Sequence, residues 1–176
     1  MEKKFEVQNA YTKRTFQDFA QFHCKKIQGV IYLKYLGFLI LAYTVYACVR
    51  EGRFELQSFF LNPSFLFALV FIFMSYKITD NSAKQLYSSC LKNEGLENTV
   101  TFLADKVEIA AGKTQEFYFY GNLYKCYETE GYFYLYVRRG VAQILDKQKF
   151  TLGDPAQFRA FLQDEAGVKF VADKSK

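Results

Sequence analysis

Residues 31–49 read IYLKYLGFLILAYTVYACV, and residues 59–76 read FFLNPSFLFALVFIFMSY. The eight residues between the two apolar runs, 50–57, read REGRFELQ and are mostly polar. A helix over the first run would be about 28 Å long, close to the roughly 30 Å thickness of the hydrocarbon core of a bilayer. Two such runs joined by a short connector are typical of a transmembrane helical hairpin. We therefore expect residues 31–76 to form a two-helix membrane hairpin.

The start of the second helix is open on the sequence alone. Asn62-Pro63 fits an N-cap followed by proline at the first helical position, which would leave an apolar helix of only about 21 Å. Alternatively, Ser58 caps a longer helix and Pro63 kinks its first turns. Lys34 lies one turn inside the first run, where its aliphatic stem lets the ammonium group reach the interface.

Basic residues are concentrated before the first apolar run. Residues 1–30 contain six Lys and Arg against three Asp and Glu, whereas residues 77–176 contain fourteen against thirteen. Because basic flanks of membrane helices stay in the cytoplasm, we expect a multi-pass cell-membrane protein with two spans, cytoplasmic termini and an external connector. The thirty residues before the first run are unlike the short basic start of a cleaved signal, so we expect that span to be retained.

The chain beyond residue 96 predicts a small antiparallel sheet. From residue 98 apolar and polar residues alternate with period two. Short turns punctuate the pattern at Asp105-Lys106, Gly112, Gly121-Asn122, Gly131 and Gly140. Together they predict six short strands in one meandering sheet.

The end of the chain predicts a helix. Asp154 fits its N-cap, Pro155 its first position, and Gly167 its stop. Phe158, Phe161 and Leu162 would form its apolar stripe and cover one face of the sheet. A sheet followed by a helix is also the order of pleckstrin-homology-like half-barrels, so by analogy we expect that fold.

The fold class expected is thus an α+β membrane protein with a transmembrane helical hairpin and a small antiparallel sheet capped by a C-terminal helix. Four parts are expected: an N-terminal strand and amphipathic helix over 1–30, the hairpin over 31–76, a cytosolic helical extension over 77–95, and the sheet-plus-helix domain over 96–176.

Several segments carry a likeness to a known family. They are Tyr11-Thr12 and Phe16-x-x-Phe19 near the start, YGNLYKCYET over 120–129, YFYLY over 132–136, AQILDKQKF over 142–150, and Phe158-Arg159-x-x-Leu162. Their order, with two apolar segments between the first and the rest, resembles the YcxB-like family of small bacterial membrane proteins over nearly the full chain. That family usually has proline before the lysine, where this chain has Asp146 before Lys147. The resemblance implies a membrane hairpin with a cytosolic domain and implies no reaction.

Residues with catalytic side chains form no recognisable constellation. His23 lies on the apolar stripe of the first helix, and Cys24 beside it points about 100° away. Asp154 is expected to cap a helix, and Asp146 to end a strand at the surface. The cysteines, Cys24, Cys48, Cys90 and Cys126, lack the paired spacing of a disulfide framework or a zinc site. We therefore expect no catalytic, cofactor-binding or metal site.

Two surface features could bind a ligand. Tyr132, Tyr134 and Tyr136 share one face of a strand, as a binding platform or as ordinary cross-strand packing. The second feature is a set of basic residues at the turns, which could meet lipid headgroups or be simple solvated charges. These residues are Arg138, Arg139, Lys147 and Lys149.

The function expected is a non-catalytic membrane protein of uncharacterised role that anchors a cytosolic binding or regulatory domain. One alternative is an accessory or structural subunit of a membrane complex such as a transporter, and another is a membrane-bound enzyme of unknown reaction. The expected partners are the lipid bilayer and a protein, or a second copy, that packs on the hairpin. Nucleic acid is not expected, because the nearly neutral C-terminal part lacks a basic face.

Overall fold

The computed structural model describes residues 2–50, 52, 59–93 and 96–172. The protein is α+β, with two long apolar helices and two sheets. It divides into two compact units. The helical unit is Lys13–Leu86, and the sheet unit combines Met1–Thr12 with Tyr87–Lys176. The sheet unit is therefore built from chain on both sides of the helical unit.

Within the described part of the chain, the helical unit contains α1 at Lys13–Lys26, α2 at Ile31–Arg50 and most of α3, which spans Pro63–Asn93. By length and composition, α2 and the first part of α3 could each cross a membrane. α3 begins at Pro63, and Asn62 caps it through its side-chain oxygen, which accepts from the Ser64 N–H at 2.9 Å. This is the shorter alternative for the second helix; Ser58 lies outside the described residues. α3 then continues without a break through the segment expected as a separate extension.

The buried residues of the apolar parts of α2 and α3 are small. Gly37 and Thr44 are buried on α2, and Ala68 and Ser75 are buried on α3. A Cβ atom on Gly37 would lie only 2.9 Å from the Ala68 carbonyl oxygen and 2.7 Å from Cγ1 of Ile72. Small side chains let two helices approach closely, so Gly37 sets the distance between α2 and α3 at this point.

The large apolar side chains of the same two helices are mostly exposed. On α2 they are Tyr32, Tyr35, Leu36, Phe38, Leu39, Tyr43, Val45, Tyr46 and Val49, and on α3 they are Leu66, Phe67, Leu69, Val70, Phe73, Met74 and Tyr76. In a soluble helical pair, residues of this kind would face the partner helix and small polar residues would face water. The helix pair has the opposite arrangement.

The sheet unit contains nine strands within its described residues. They are β1 Phe5–Ala10, β2 Glu97–Phe102, β3 Lys106–Ala111, β4 Thr114–Phe119, β5 Lys125–Glu128, β6 Tyr132–Arg138, β7 Val141–Asp146, β8 Phe150–Leu152 and β9 Phe170–Ala172. One sheet has the order β4-β3-β2-β1-β8, and the other has the order β7-β6-β5-β9. All pairs are antiparallel except β5 with β9. The expectation of one six-stranded meander is therefore wrong. The chain changes sheet three times: at the 3-10 turns Tyr120–Asn122 and Lys147–Lys149, and again between β8 and β9.

The N-terminal strand β1 occupies an interior position in the first sheet. It pairs along its whole length with β2, from Phe5 with Phe102 to Ala10 with Glu97, and on its other side with β8. The ring of Phe5 also lies 5.3 Å from that of Phe158 and 5.1 Å from that of Phe161. The sheet-plus-helix domain was expected to begin at residue 96. The compact sheet unit also includes β1, which precedes the helical unit in the chain.

The final helix packs as its apolar stripe predicts. α4 spans Pro155–Ala160 and continues as one π-helical turn, Phe161–Glu165. Asp154 caps it by accepting from the Ala156 N–H at 2.8 Å. Phe158, Phe161 and Leu162 are all buried in the core, so their predicted role is confirmed.

A buried polar network links the two sheets. Asn9 and Asn98 are opposite one another on β1 and β2, and the Asn9 amide donates to the Asn98 side-chain oxygen at 2.8 Å. The side-chain oxygen of Asn9 accepts from the Asp146 N–H of β7 at 3.0 Å. Tyr11 accepts from Asn98 at 3.0 Å and donates to the Ile144 carbonyl at 2.9 Å. These bonds satisfy buried amides that would otherwise be costly.

We expect Gly37→Leu to destabilise the helical unit by about 1–3 kcal/mol, because the new side chain would meet the α3 backbone. Ala42→Leu is the matched control, since Ala42 is exposed on the same helix. Thermal unfolding of the full chain in detergent, followed by far-UV circular dichroism, measures both. Equal loss of helix stability in the two variants would contradict the close approach at Gly37.

Candidate functional site

His23 and Cys24 lie on α1 with different neighbours. The His23 imidazole is half-buried, with its ring centroid 5.4 Å from that of Phe19. Burial lowers the pKa of His23 below its usual value, because the charged form loses hydration. The Cys24 thiol is buried and donates to Gln28 at 3.4 Å. These contacts support the packing role expected for His23.

Asp146 and Asp154 both act as caps. The carboxylate of Asp146 accepts from the Gln148 N–H at 2.9 Å and opens the 3-10 turn after β7. Asp154 opens α4 in the same way. Each carboxylate therefore satisfies a backbone N–H at the start of a helical turn.

Asp146 occupies the position at which the family named in the sequence analysis usually has proline. The backbone conformation of Asp146 allows either residue to begin the 3-10 turn. Its φ is −77°, which lies within the range that the proline ring fixes. Proline has no N–H, however, and the Asp146 N–H is the donor to buried Asn9. Aspartate thus keeps the turn and adds a hydrogen bond between the sheets.

We expect Asp146→Pro to be less stable than Asp146→Ala by about 1–3 kcal/mol, because only proline leaves the Asn9 oxygen without this donor. Both variants lose the carboxylate cap, so their difference isolates the backbone bond. Chemical unfolding of the full chain, followed by tyrosine fluorescence, measures it, since the chain has no tryptophan. A proline variant as stable as the alanine variant would contradict a stabilising bond between the Asp146 N–H and Asn9.

The tyrosine row on β6 is largely buried. Tyr134 and Tyr136 are 2% and 0% exposed. Tyr132 stacks on Tyr134 with ring centroids 5.9 Å apart, and Tyr127 meets Tyr136 edge-on at 5.7 Å. These contacts support the packing interpretation of the row over an open binding platform.

A three-residue ion cluster lies in the sheet unit, and sequence reasoning missed it. Glu128 at the end of β5 is buried, and its Oε1 accepts from Lys147 Nζ at 2.8 Å and from Arg159 Nη2 at 2.7 Å. Arg159 also contacts Oε2 at 2.6 Å, as an ion pair without hydrogen-bond geometry. Lys147 Nζ lies 4.7 Å from the ring centroid of Phe133. The cluster therefore joins β5, the 3-10 turn after β7, and α4.

The cluster changes how the basic turns are understood. Lys147, one of four residues considered for lipid headgroups, is bound to Glu128, with its side chain only 20% exposed. Arg138 and Lys149 remain exposed at the surface. Glu128, Lys147 and Arg159 all lie in segments that carry the family resemblance, and this was the only signal of the cluster in the sequence. Their spacing along the chain does not indicate that they form ion pairs.

The pKa of Glu128 is held below its ordinary value. Burial on its own would raise this pKa, and the hydrogen bonds and charges of Arg159 and Lys147 outweigh that effect. A lowered pKa in the folded state means that ionised Glu128 stabilises the sheet unit above pH about 4.5, and that this stabilisation is lost as pH falls through the folded pKa.

We expect Glu128→Gln to lower the unfolding free energy at pH 7 by about 1–3 kcal/mol. This loss of unfolding free energy is smaller than the loss expected for a fully buried ion pair, because the Arg159 side chain is half exposed. The variant should also lose less stability than the wild type between pH 5 and pH 3. Urea unfolding at several pH values measures both effects, with exposed Glu130→Gln as the control. The same pH dependence in all three proteins would contradict the assignment.

A cavity of about 600 Å³ lies in the helical unit. Each of the three helices contributes one stripe of residues: Gln17, Gln21, Cys24 and Lys25 from α1, Ile31 and Lys34 from α2 with Val30 before it, and Ser75, Tyr76, Thr79, Asp80 and Ala83 from α3. It lies where the apolar runs of α2 and α3 meet polar sequence. Its lining thus combines aliphatic, aromatic, amide and charged groups.

The comparisons with known proteins concern the sheet unit. A family model described as YcxB-like protein matches residues 102–162, from the end of β2 into the π-helical turn. The matched segment includes the ion cluster and leaves out β1 and the helical unit. No curated protein and no solved structure matches the chain. The family likeness is therefore shown for this segment, and the pleckstrin-homology-like half-barrel and a bacterial origin stay predictions.

Proposed function

We propose that this chain is a non-catalytic integral protein of the cell membrane, in which α2 and α3 form a two-span hairpin that anchors the sheet unit at the cytoplasmic face. The sheet unit serves as a binding or regulatory module. The observation that carries the proposal is the burial pattern of the hairpin, in which small residues are buried and large apolar residues are exposed.

The energetics of this pattern favour a bilayer. Exposed apolar surface costs roughly 25 cal/mol per Å² in water, and soluble monomers rarely expose a continuous apolar patch as large as two helices. In a bilayer the same side chains contact lipid, and close packing of small residues holds the helices together.

Two buried hydroxyl groups on these helices fit the same environment. Thr44 donates to the Ile40 carbonyl at 2.9 Å, and Ser75 donates to the Ile72 carbonyl at 2.7 Å. A hydroxyl in hydrocarbon has no water to bind, so bonding to its own helix backbone removes an unsatisfied donor.

Strand pairing supports an even number of crossings. β1 precedes α2 and β2 follows α3, yet the two strands pair in full, and the Tyr11 N–H donates to the Leu96 carbonyl at 2.7 Å. Strands on opposite sides of a bilayer could not form these bonds. The basic surplus before α2 favours the cytoplasm as their common side.

An exposed edge supports a binding role for the sheet unit. β4 is the outer strand of the five-stranded sheet and is exposed along most of its length. Phe117 and Phe119 project from it with 59% and 49% of their surface accessible. An edge strand of this kind can accept a strand from a protein partner.

The membrane proposal predicts that the full chain stays in the pellet when membranes are washed with alkaline carbonate. It also predicts that, in a cysteine-free background, Ser58→Cys reacts with an impermeant maleimide on intact cells and Ser175→Cys reacts only after lysis. The reason is that the connector lies outside and the C-terminus inside. Release by carbonate would overturn membrane integration, and labelling of Ser175→Cys on intact cells would overturn the orientation.

A further inference from the structure

We propose that the cavity between α1, α2 and α3 binds the headgroup of an anionic phospholipid, with Lys25 and Lys34 contacting the phosphate. This inference rests on the membrane placement proposed above and names a ligand for a site in the helical unit. It is carried by the charges, the position and the mixed lining of the cavity.

The positive charge of the cavity is not balanced by its own residues. Among the residues that the structure describes, no carboxylate lies within ion-pair distance of Lys25 or Lys34. The carboxylate of Asp80, which also lines the cavity, is bound by Lys84 at 2.6 Å. The cavity therefore contains two cations and one acidic group that already has a partner, an arrangement that favours an anion.

Lys34 is held at the cavity by aromatic rings. Its Nζ lies 4.9 Å from the ring centroid of Tyr76 and 6.0 Å from that of Phe38. Cation–π contacts orient the ammonium group without neutralising its charge, and they leave its N–H donors able to bind phosphate oxygens. Lys34 is also half-buried, so an anion beside it would be less screened than at an open surface.

The remainder of the lining fits an amphiphile better than a small inorganic ion. Val30, Ile31 and Ala83 provide aliphatic surface, while Gln17 and Gln21 provide amide groups. A cavity of about 600 Å³ is several times larger than a phosphate ion needs and within the range of sites for organic ligands. A phosphodiester joined to a glycerol and the start of an acyl chain matches both parts of the lining.

The position of the cavity gives the lipid a route. Lys34 lies one turn into α2, and Tyr76 lies at the last residues of the apolar run of α3. In the proposed hairpin both are at the level of the cytoplasmic headgroups, where basic residues attract anionic lipids. The ligand would be a lipid of the inner leaflet whose acyl chains remain in the bilayer.

The test uses the full chain purified in detergent, with native mass spectrometry to measure binding of phosphatidylglycerol and phosphatidylcholine with equal acyl chains. We expect phosphatidylglycerol to bind the wild type more tightly. Lys34→Gln and Lys25→Gln should each weaken phosphatidylglycerol binding about tenfold, the effect of losing one charged hydrogen bond. Both should weaken phosphatidylcholine binding less, because the choline cation already offsets the charge of the phosphate in that lipid.

Lys77→Gln is the matched control, because Lys77 also lies over an aromatic ring, at 5.8 Å from Phe73, but does not line the cavity. It should bind both lipids as the wild type does. An equal loss in the control and in the cavity variants would overturn the site, and so would equal affinity of the wild type for the two lipids. If Lys34→Gln does not fold, Lys25→Gln tests the cavity assignment, because the Lys25 side chain is exposed.

Inorganic phosphate separates the two sources of the anion. Competition with phosphatidylglycerol only at far higher concentration supports the lipid, whereas phosphate binding as tight as that of the lipid would overturn it in favour of a free anion. The carbonate wash is read separately. A chain that resists the wash but does not discriminate between lipids would contradict only the cavity assignment, and a chain that is washed off but does discriminate would contradict only the membrane placement.

Discussion

The pairing of β1 with β2 and β8 is the constraint on which the rest of the structure depends. It brings a strand from before the two long helices into the interior of a sheet otherwise made after them. The chain therefore leaves the sheet unit after Thr12, forms the helical unit and enters the sheet unit again at Tyr87. Phe5 then places its ring against Phe158 and Phe161, so the same short strand also contacts the final helix through the core.

Polar groups inside the protein are used in two different ways. The amides of Asn9 and Asn98 bond to backbone and side-chain groups of both sheets without any net charge. Glu128 instead holds Lys147 and Arg159 by charge and joins a strand, a turn and a helix. The first network depends on backbone register and the second on ionisation, so the two respond to different changes in sequence and in pH.

Features that depend on local sequence could be predicted, and features that depend on distant pairing could not. The long apolar helices follow from run length, and the last helix follows from Asp154, Pro155 and its apolar stripe. Turn residues indicate that the chain reverses but not whether it stays in the same sheet, so the two sheets were missed. The strand near Phe5 was expected, whereas its place beside β2 is set by partners far along the chain. For the same reason the Glu128 cluster and the three-helix cavity, each assembled from separate segments, had no signature in spacing.

The interior position of β1 also sets an order of events during synthesis. The hydrogen bond between Asn9 and Asn98 can form only after a further 89 residues have been synthesised. The bond from Thr151 to Glu6 joins residues 145 positions apart. At typical ribosomal rates the first of these intervals lasts roughly 4 to 18 seconds, during which both long apolar segments emerge. In the proposed membrane hairpin, the strand would stay unpaired during insertion, and only a hairpin with both ends on one side would allow the sheet to close. Completion of the sheet would then act as a check on insertion, because a chain with only one helix inserted would keep β1 and β2 on opposite sides and leave an unpaired strand.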